Sequence, residues 1–213
     1  MYQNRTSAGY ILAENLSRLT LSHPCLLAIP RGGVLVAAPV ADKLNLPLDI
    51  LITKKIGHPL NPEVAVGAVM PDGTTIWNEA LLSEMNIHKA QLQPQVEEKY
   101  REIQQRLTIY TGSDSVTPAI RNQTVIIIDD GIATGYTIRA AVLWLKSLAP
   151  AKIILAVPVA PPDVLEELAG LVDQLVCPLQ PLHFQAVGLY YQDFHQNTDA
   201  EVIHILRGLK VQH

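Results

Sequence analysis

Two adjacent acids, Asp129 and Asp130, follow a run of β-branched residues and precede a loop of small and hydroxylated residues. The run at 125–128, Val-Ile-Ile-Ile, predicts a strand buried on both faces, which is typical of a parallel sheet covered by helices. Ligands of open α/β sheets bind beyond the carboxyl ends of the strands. We therefore expect both carboxylates to face a ligand at that edge.

The loop after the acids has the composition of an anion site. A helical pattern follows it from Ile138, and backbone N–H groups and hydroxyls at a helix N-terminus bind anions. Carboxylates facing hydroxyls beside such a cradle suit a ribose 5-phosphate. Two alternatives stay open: a metal or phospho-acceptor site, as in receiver-type domains, or a nucleotide loop, although Gly-Lys-Ser/Thr and the dinucleotide glycine spacing are absent. The loop residues are Ala133, Thr134, Gly135, Tyr136 and Thr137.

The bulk composition favours one globular domain over residues 1–213. The chain is 48% hydrophobic and 17% charged, with a net charge of -4, so no basic footprint for nucleic acid is visible. No apolar run of about 18 residues predicts a membrane span. Cys25 and Cys177 lie in apolar runs without metal-ligand spacing, which favours a reduced, cytoplasmic protein.

A second glycine-rich loop follows an earlier predicted strand. Arg31, Gly32 and Gly33 come after the apolar run 25–29 and before a helical pattern. The glycines would let backbone approach an anion, and Arg31 adds a positive charge. By itself this sequence also fits a plain turn.

Two lysines, Lys54 and Lys55, follow the next predicted strand at 48–53 and open a Gly/Pro/Asn segment at 54–63, which predicts a mobile basic flap. The alternative is a solvated lysine pair. Residues 64–77 then form a hairpin pattern with an Asp-Gly turn. A long charged helical pattern to Tyr110, which could support contact with a second copy, and a polar connector at 112–123 lead to the central strand.

The two ends of the chain are predicted to form a small cap. Residues 5–19 have the spacing of an amphipathic helix, with Ile11 on the apolar face. Near the other end, Tyr190, Tyr191 and Phe194 could stack a flat ring. Alternatively, these rings pack a small core of their own.

The motif at 125–137 resembles the phosphoribosyl-diphosphate signature of the type I phosphoribosyltransferases. Pro-Arg-Gly-Gly at 30–33, the pattern at 64–69 and Tyr-Gln-Asp-Phe at 191–194 extend the similarity to nearly the whole chain, most closely to a branch of predicted phosphoribosyltransferases without an assigned acceptor. The resemblance implies an open parallel sheet flanked by helices, with a β-hairpin flap. It also implies a core at about 20–178. A hood would be formed by about 179–213 together with the N-terminal helix.

The resemblance also implies roles for the residues. The acid pair would hold the ribose hydroxyls, the loop at 133–137 the 5-phosphate, and the loop at 31–33 the donor pyrophosphate, with Lys54 or Lys55. Mg²⁺ would enter through the donor pyrophosphate rather than through a protein cage. The branch acting on hypoxanthine and guanine has an aspartate where this chain has Ala133, and the loop is instead similar to the Ala-Thr-Gly form of the adenine and uracil branches. The chain matches neither of their hoods, so the acceptor stays open.

The expected activity is transfer of a 5-phosphoribosyl group to an acceptor, expected to be nitrogenous, as in nucleotide salvage. A non-catalytic sensor of phosphoribosyl diphosphate or of a nucleotide is the alternative, because fold alone does not decide function. A third hypothesis is cleavage or transfer at a nucleoside phosphate or another phosphorylated sugar.

Overall fold

The computed structural model describes residues 1–112 and 120–210. Residues 113–119 of the predicted polar connector, and residues 211–213, lie outside the described residues. The described helices and strands are α1 (Arg5–Leu16), β1 (Pro24–Ala28), α2 (Gly32–Leu44), β2 (Leu48–Ile50), β3 (Lys54–His58), β4 (Asn61–Val69), β5 (Thr75–Trp77), α3 (Glu79–Glu84), α4 (Lys89–Thr111), β6 (Thr124–Ile128), α5 (Tyr136–Ser147), β7 (Lys152–Ala156), α6 (Pro162–Ala169), β8 (Gln174–Val176) and α7 (Asp199–Lys210).

These elements form two compact units. Within the described residues, the first unit comprises 1–51, 120–135 and 148–210, and the second comprises 52–112 and 136–147. The first unit contains the predicted acid pair, the glycine-rich loop and both ends of the chain. The second contains the predicted hairpin and the two lysines.

The first unit is built on a five-stranded parallel sheet in the order β2-β1-β6-β7-β8. Every residue of β6 is buried, as its β-branched run predicts. Ala28 pairs with Ile128, and Ile128 pairs with Ala156, so β1, β6 and β7 end in register. The loops after these strands therefore start side by side at one edge of the sheet, and the predicted fold class is confirmed.

Helices α1 and α2 pack closely against each other in this unit. A side chain at Gly9 would overlap the carbonyl oxygen of Val36 and lie 3.0 Å from the Pro39 ring. The buried face of α1 differs from the predicted one, because Ile11 is 41% exposed whereas Arg5 is 7% exposed. The helix is rotated so that this arginine, and not Ile11, faces the interior.

The first residues of the chain pair with the C-terminal segment. Tyr2 forms a parallel bridge with Tyr191, and its backbone N–H donates to the Tyr190 carbonyl at 2.8 Å. The N–H of Gln192 donates to the Tyr2 carbonyl at 2.8 Å, and that of Asp193 donates to the Gln3 carbonyl at 3.0 Å. Sequence-distant segments thus share one hydrogen-bonded strip.

The second unit contains a three-stranded antiparallel sheet in the order β3-β4-β5. The hairpin of β4 and β5 is present, and its turn has Gly73 at φ 84°. The flap prediction was wrong in one respect: Lys54 and Lys55 do not open an irregular loop but begin β3, which pairs with β4 from Lys54 opposite Val69 to His58 opposite Asn61. In the parts of the chain that the structure describes, no helix is long and apolar enough to cross a membrane.

Candidate active site

The acid pair lies immediately beyond β6, at the carboxyl edge of the parallel sheet. The last residue of β6, Ile128, accepts a hydrogen bond from the N–H of Ile29 at 2.9 Å, which fixes the first loop beside the acids. Asp129 and Asp130 are both partly exposed, and Asp129 Oδ1 accepts from the N–H of Asp130 at 2.8 Å. Both residues therefore keep part of their surface accessible at this edge, although the Asp130 side chain is only 17% exposed.

The two glycines at the start of α2 lie directly against the acids. A Cβ atom on Gly32 would overlap Asp130 Oδ2 and stand 2.8 Å from Arg5 Nε. On Gly33 it would be 2.7 Å from the carbonyl oxygen of Ile128. Glycine is required here because the backbone of α2 approaches the acid pair itself.

Arg5, from the first turn of α1, is the cation that contacts the acid pair most directly in the described chain. Its Nε donates to Asp130 Oδ2 at 2.7 Å, and its Nη1 donates to the His195 carbonyl at 3.0 Å. Its Cζ lies 3.8 Å from the centre of the Phe194 ring. The Tyr191 hydroxyl donates to the backbone carbonyl of Asp130 at 2.6 Å.

Burial makes both acids reluctant to ionise. The pKa of Asp129 is raised well above its ordinary value, first by burial and then by the charge of Asp130. Burial also raises the pKa of Asp130, although the hydrogen bond and charge of Arg5 oppose the increase. The Arg5 guanidinium therefore acts to lower the pKa of both carboxyls. A further positive charge near Asp129 would favour its ionised form.

The loop after the acids is shaped by glycine and exposes its hydroxyl-bearing residue. Gly135 has φ 70°, and a Cβ atom there would lie 2.8 Å from Val164 Cγ1, so a larger residue is excluded by both backbone and space. Ala133 and Thr134 are exposed, whereas Ile132 is buried and donates its N–H to the Val159 carbonyl at 3.0 Å. The turn at Thr134 is thus anchored on one side and open to solvent on the other.

The last two residues of the predicted phosphate loop belong to α5. That helix begins at Tyr136, and both Tyr136 and Thr137 are partly exposed. Burial raises the pKa of the Tyr136 phenol to about 12, so the group is neutral near pH 7 and can donate a hydrogen bond.

Arg31 stands at the N-terminus of α2, and the peptide bond between Pro30 and Arg31 is cis. The Arg31 side chain is about 29% exposed, and its Nη1 lies 3.9 Å from Asp199 Oδ1 in the first turn of α7. That distance is long for an ion pair and leaves the guanidinium only weakly held.

The two lysines at the start of β3, in the second unit, differ in the exposure of their side chains. Lys54 Nζ lies 2.8 Å from Glu102 Oε2 on α4, and Lys99 binds the other carboxylate oxygen of Glu102. Hydrogen bonds from Lys54 and Lys99 lower the pKa of Glu102. Lys55, the next residue along β3, has an exposed side chain, and successive strand residues point to opposite faces.

The three C-terminal rings belong to one small hydrophobic core but differ in exposure. Tyr191 is 5% exposed and packs between Tyr2, at a centroid distance of 5.4 Å, and Phe194, at 5.0 Å. Tyr190 and Phe194 pack against that core and are partly exposed, and Tyr190 stacks on Phe184. The small-core alternative therefore accounts for the packing of all three rings, and acceptor stacking remains a prediction for the exposed parts of Tyr190 and Phe194.

Comparison with known families agrees with this arrangement. The family model described as the phosphoribosyl transferase domain matches residues 6–193. The chain belongs to the phosphoribosyl transferase domain family.

A curated protein and a solved structure are also similar to this chain. The chain is 35% identical over 206 residues to a Mycobacterium tuberculosis H37Rv protein named "Putative phosphoribosyl transferase Rv0571c", covering 97% of this chain and 46% of that protein. It thus spans about half the length of the curated relatives it matches. The crystal structure of TT1426 from Thermus thermophilus is similar at 35% identity with a TM-score of 0.85, covering 98% of both chains.

A more distant solved structure, that of the AQ2163 protein from Aquifex aeolicus, shares the fold alone. It has 14% identity and a TM-score of 0.52, covering 86% of this chain and 78% of that one.

Sequence reasoning missed Arg5 and the Tyr191 hydroxyl in the phosphoribosyl transferase domain. A sign of the first was available, because Arg5 is in helical phase with Ala8 and Leu12 on the buried face of α1. A charged residue on an apolar face needs a buried partner. Tyr191 gave no comparable sign, since its hydrogen bond joins residues 61 positions apart.

Proposed function

We propose that the chain transfers a 5-phosphoribosyl group from phosphoribosyl diphosphate to a nitrogenous acceptor and releases pyrophosphate. The observation that carries this proposal is the pair Asp129 and Asp130, partly exposed beyond β6 and packed against the glycines that open α2. Membership of the phosphoribosyl transferase domain family supports it.

The proposed reaction forms one bond and breaks one. An acceptor nitrogen bonds to the anomeric carbon of the ribose, the bond from that carbon to the pyrophosphate oxygen breaks, and the pyrophosphate leaves with the electron pair. The acceptor nitrogen gives up a proton. Positive charge grows on the sugar and negative charge on the leaving group, so catalysis depends mainly on placement and electrostatics.

The acid pair would hold the ribose hydroxyls and place negative charge near the developing cation. The raised pKa of Asp129 fits such a role, because an arriving positive charge would draw the carboxyl into its ionised form. Ala133, Thr134 and Gly135, with the following Tyr136 and Thr137, would bind the 5-phosphate. The exposed Thr134 and the hydroxyl of Thr137 would supply hydrogen bonds.

Positive charge at the pyrophosphate would come from Arg31 and from the lysines of β3, with the backbone of Gly32 and Gly33. We assign the larger contribution to Lys55, because its side chain is exposed whereas that of Lys54 is only partly exposed. Mg²⁺ bound with the donor would neutralise further phosphate charge. Among the described residues, no cluster of three or more His, Cys, Asp or Glu could cage a metal, and the proposed route through the donor needs none.

The acceptor would lie against the C-terminal segment, where Tyr190 and Phe194 are partly exposed. A flat nitrogenous ring could stack there at roughly 1–3 kcal/mol per base. A cytoplasmic location and a role in nucleotide salvage belong to the same proposal.

An acceptor screen tests the proposal. The purified chain, phosphoribosyl diphosphate and Mg²⁺ are incubated with purines, pyrimidines and small amines, and released pyrophosphate is measured, with the Asp130→Asn variant as the control. Acceptor-dependent release supports the transferase. Donor binding without turnover across the panel would instead identify a sensor, and turnover of a nucleoside phosphate without the donor would identify a different phosphosugar activity.

A further inference from the structure

Arg5 joins three parts of the first unit that are far apart in the sequence. It contacts the side chain of Asp130, the backbone carbonyl of His195 and the ring face of Phe194. The arginine is 7% exposed. A guanidinium buried to this degree is retained at a desolvation cost that the ion pair must offset.

The packing of α1 does not by itself need a charge at this position. The neighbouring buried positions of α1 on the same face are Ala8 and Leu12, and both are apolar. An apolar residue at position 5 would extend that face without desolvating a cation. An apolar residue could not balance the negative charge of Asp130, which would be left as a largely buried carboxyl beside Asp129.

We propose that Arg5 is a positioning residue for the acid pair: it keeps Asp130 ionised, fixes the direction of that carboxylate, and links it to the C-terminal segment at Phe194 and His195. This inference rests on the proposed function, in which Asp129 and Asp130 receive the ribose.

The groups that face Asp130 agree with this role. Burial raises the pKa of Asp130, and the hydrogen bond and charge of Arg5 act against the increase. Asp129 precedes it, and the Tyr191 phenol, which burial keeps neutral, donates to its backbone carbonyl. Arg5 is therefore the cation in contact with the Asp130 carboxylate, and its loss would move the carboxyl towards its protonated form.

Donor binding measured against pH tests the proposal. Isothermal titration of phosphoribosyl diphosphate with Mg²⁺, from pH 5.5 to 8, is carried out on the wild type, Arg5→Gln and Arg5→Lys. Arg18→Gln is the matched control, since Arg18 is exposed just beyond the end of α1. We expect Arg5→Gln to weaken binding about tenfold or more at pH 6 and to recover towards pH 8, Arg5→Lys to retain part of the affinity, and Arg18→Gln to match the wild type.

A merely structural role would give a different result. Arg5→Gln would then lower the melting temperature, while its affinity would change with pH in parallel with that of the wild type, and the proposal would be overturned. Should Arg5→Gln fail to fold, Arg5→Lys takes its place: the ammonium keeps the charge but not the planar fork that reaches both Asp130 and His195. A donor affinity below that of the wild type, as the loss of the fork predicts, would support the proposal, and an affinity equal to that of the wild type would overturn it.

A ligand-free measurement separates this inference from the proposed function. Carbon-13 NMR of labelled aspartate follows the titration of the Asp130 carboxyl in the free protein. We expect its midpoint to lie at higher pH in Arg5→Gln than in the wild type, and equal midpoints would overturn the role of Arg5. If the wild type does not bind the donor at all, the proposed function fails, and the NMR midpoints alone decide whether Arg5 controls Asp130.

Discussion

Replacing Gly32 with alanine tests the closest contact of the candidate site. The new Cβ would overlap Asp130 Oδ2 and stand 2.8 Å from Arg5 Nε. Both of these atoms belong to one buried ion pair, so neither can move without losing the other. Overpacking of this kind costs roughly 1–3 kcal/mol.

That cost can be expressed as a melting temperature. For a chain of this length, each kcal/mol corresponds to about 2–4 °C, so we expect Gly32→Ala to lower Tm by roughly 2–12 °C. The matched control is Gly208→Ala within α7, where a Cβ atom would meet nothing within 4 Å. There the substitution should raise the free energy of unfolding by up to about 1 kcal/mol, because alanine favours the helix.

Thermal and urea unfolding of the two variants, followed by circular dichroism, give shifts of opposite sign if the contact is as described. A Gly32→Ala variant as stable as the wild type would refute the packing of α2 against the acid pair. Combining Gly32→Ala with Arg5→Gln adds a second check. Because the shorter glutamine side chain relieves part of the clash, the double variant should lose less stability than the sum of the losses of the two single variants.

Three further predictions concern the charges of the site. Asp129 keeps its proton in the folded protein at pH values where the unfolded chain has released it, so the free energy of unfolding should fall as pH rises from the ordinary carboxyl range, near 3.9, towards the raised pKa of Asp129; urea titrations at several pH values should show this slope, and Asp129→Asn should reduce it. Asp130→Asn should slow pyrophosphate release by roughly 10²-fold or more, and near-normal turnover would contradict the role given to the acids. Lys55→Ala should weaken donor binding more than Lys54→Ala, because the Lys55 side chain is exposed whereas that of Lys54 is only partly exposed; equal losses, or a larger loss for Lys54→Ala, would count against that assignment.

The parallel sheet and the position of the acids could be predicted from the sequence because both depend on local patterns. The β-branched run of β6 allowed little besides a buried strand, and the acids had to follow it. The in-register ends of β1 and β6 then place the glycine-rich loop beside them. These features need only strand propensity and the geometry of parallel sheets.

The flap was harder to predict because its strand begins with charges. Lys54 and Lys55 carry little strand propensity, and Gly57, Pro59 and Pro62 all favour a loop. Pairing of β3 with β4 decides the outcome, and Gly57 makes the pairing possible, since a Cβ atom there would lie 2.7 Å from the Pro62 carbonyl oxygen. Such cross-strand contacts are not visible in a local pattern.

The partners of Arg5 lay beyond local reasoning for a related reason. Its partner Asp130 is 125 residues away, and its second partner, His195, is 190 residues away. Helical periodicity indicated that the first helix has a buried face but not which residue at its edge would turn inward. The choice between Ile11 and Arg5 is made by the tertiary structure.

The pairing of Tyr2 with Tyr191 has a consequence for synthesis on the ribosome. Asp130 is contacted by Arg5, which is made 125 residues before it, and by Tyr191, which is made 61 residues after it. The acid pair can therefore reach its final environment only after the chain has been translated as far as Tyr191. Until then the emerging chain carries the two carboxyls without the hydroxyl that will hold Asp130 in place.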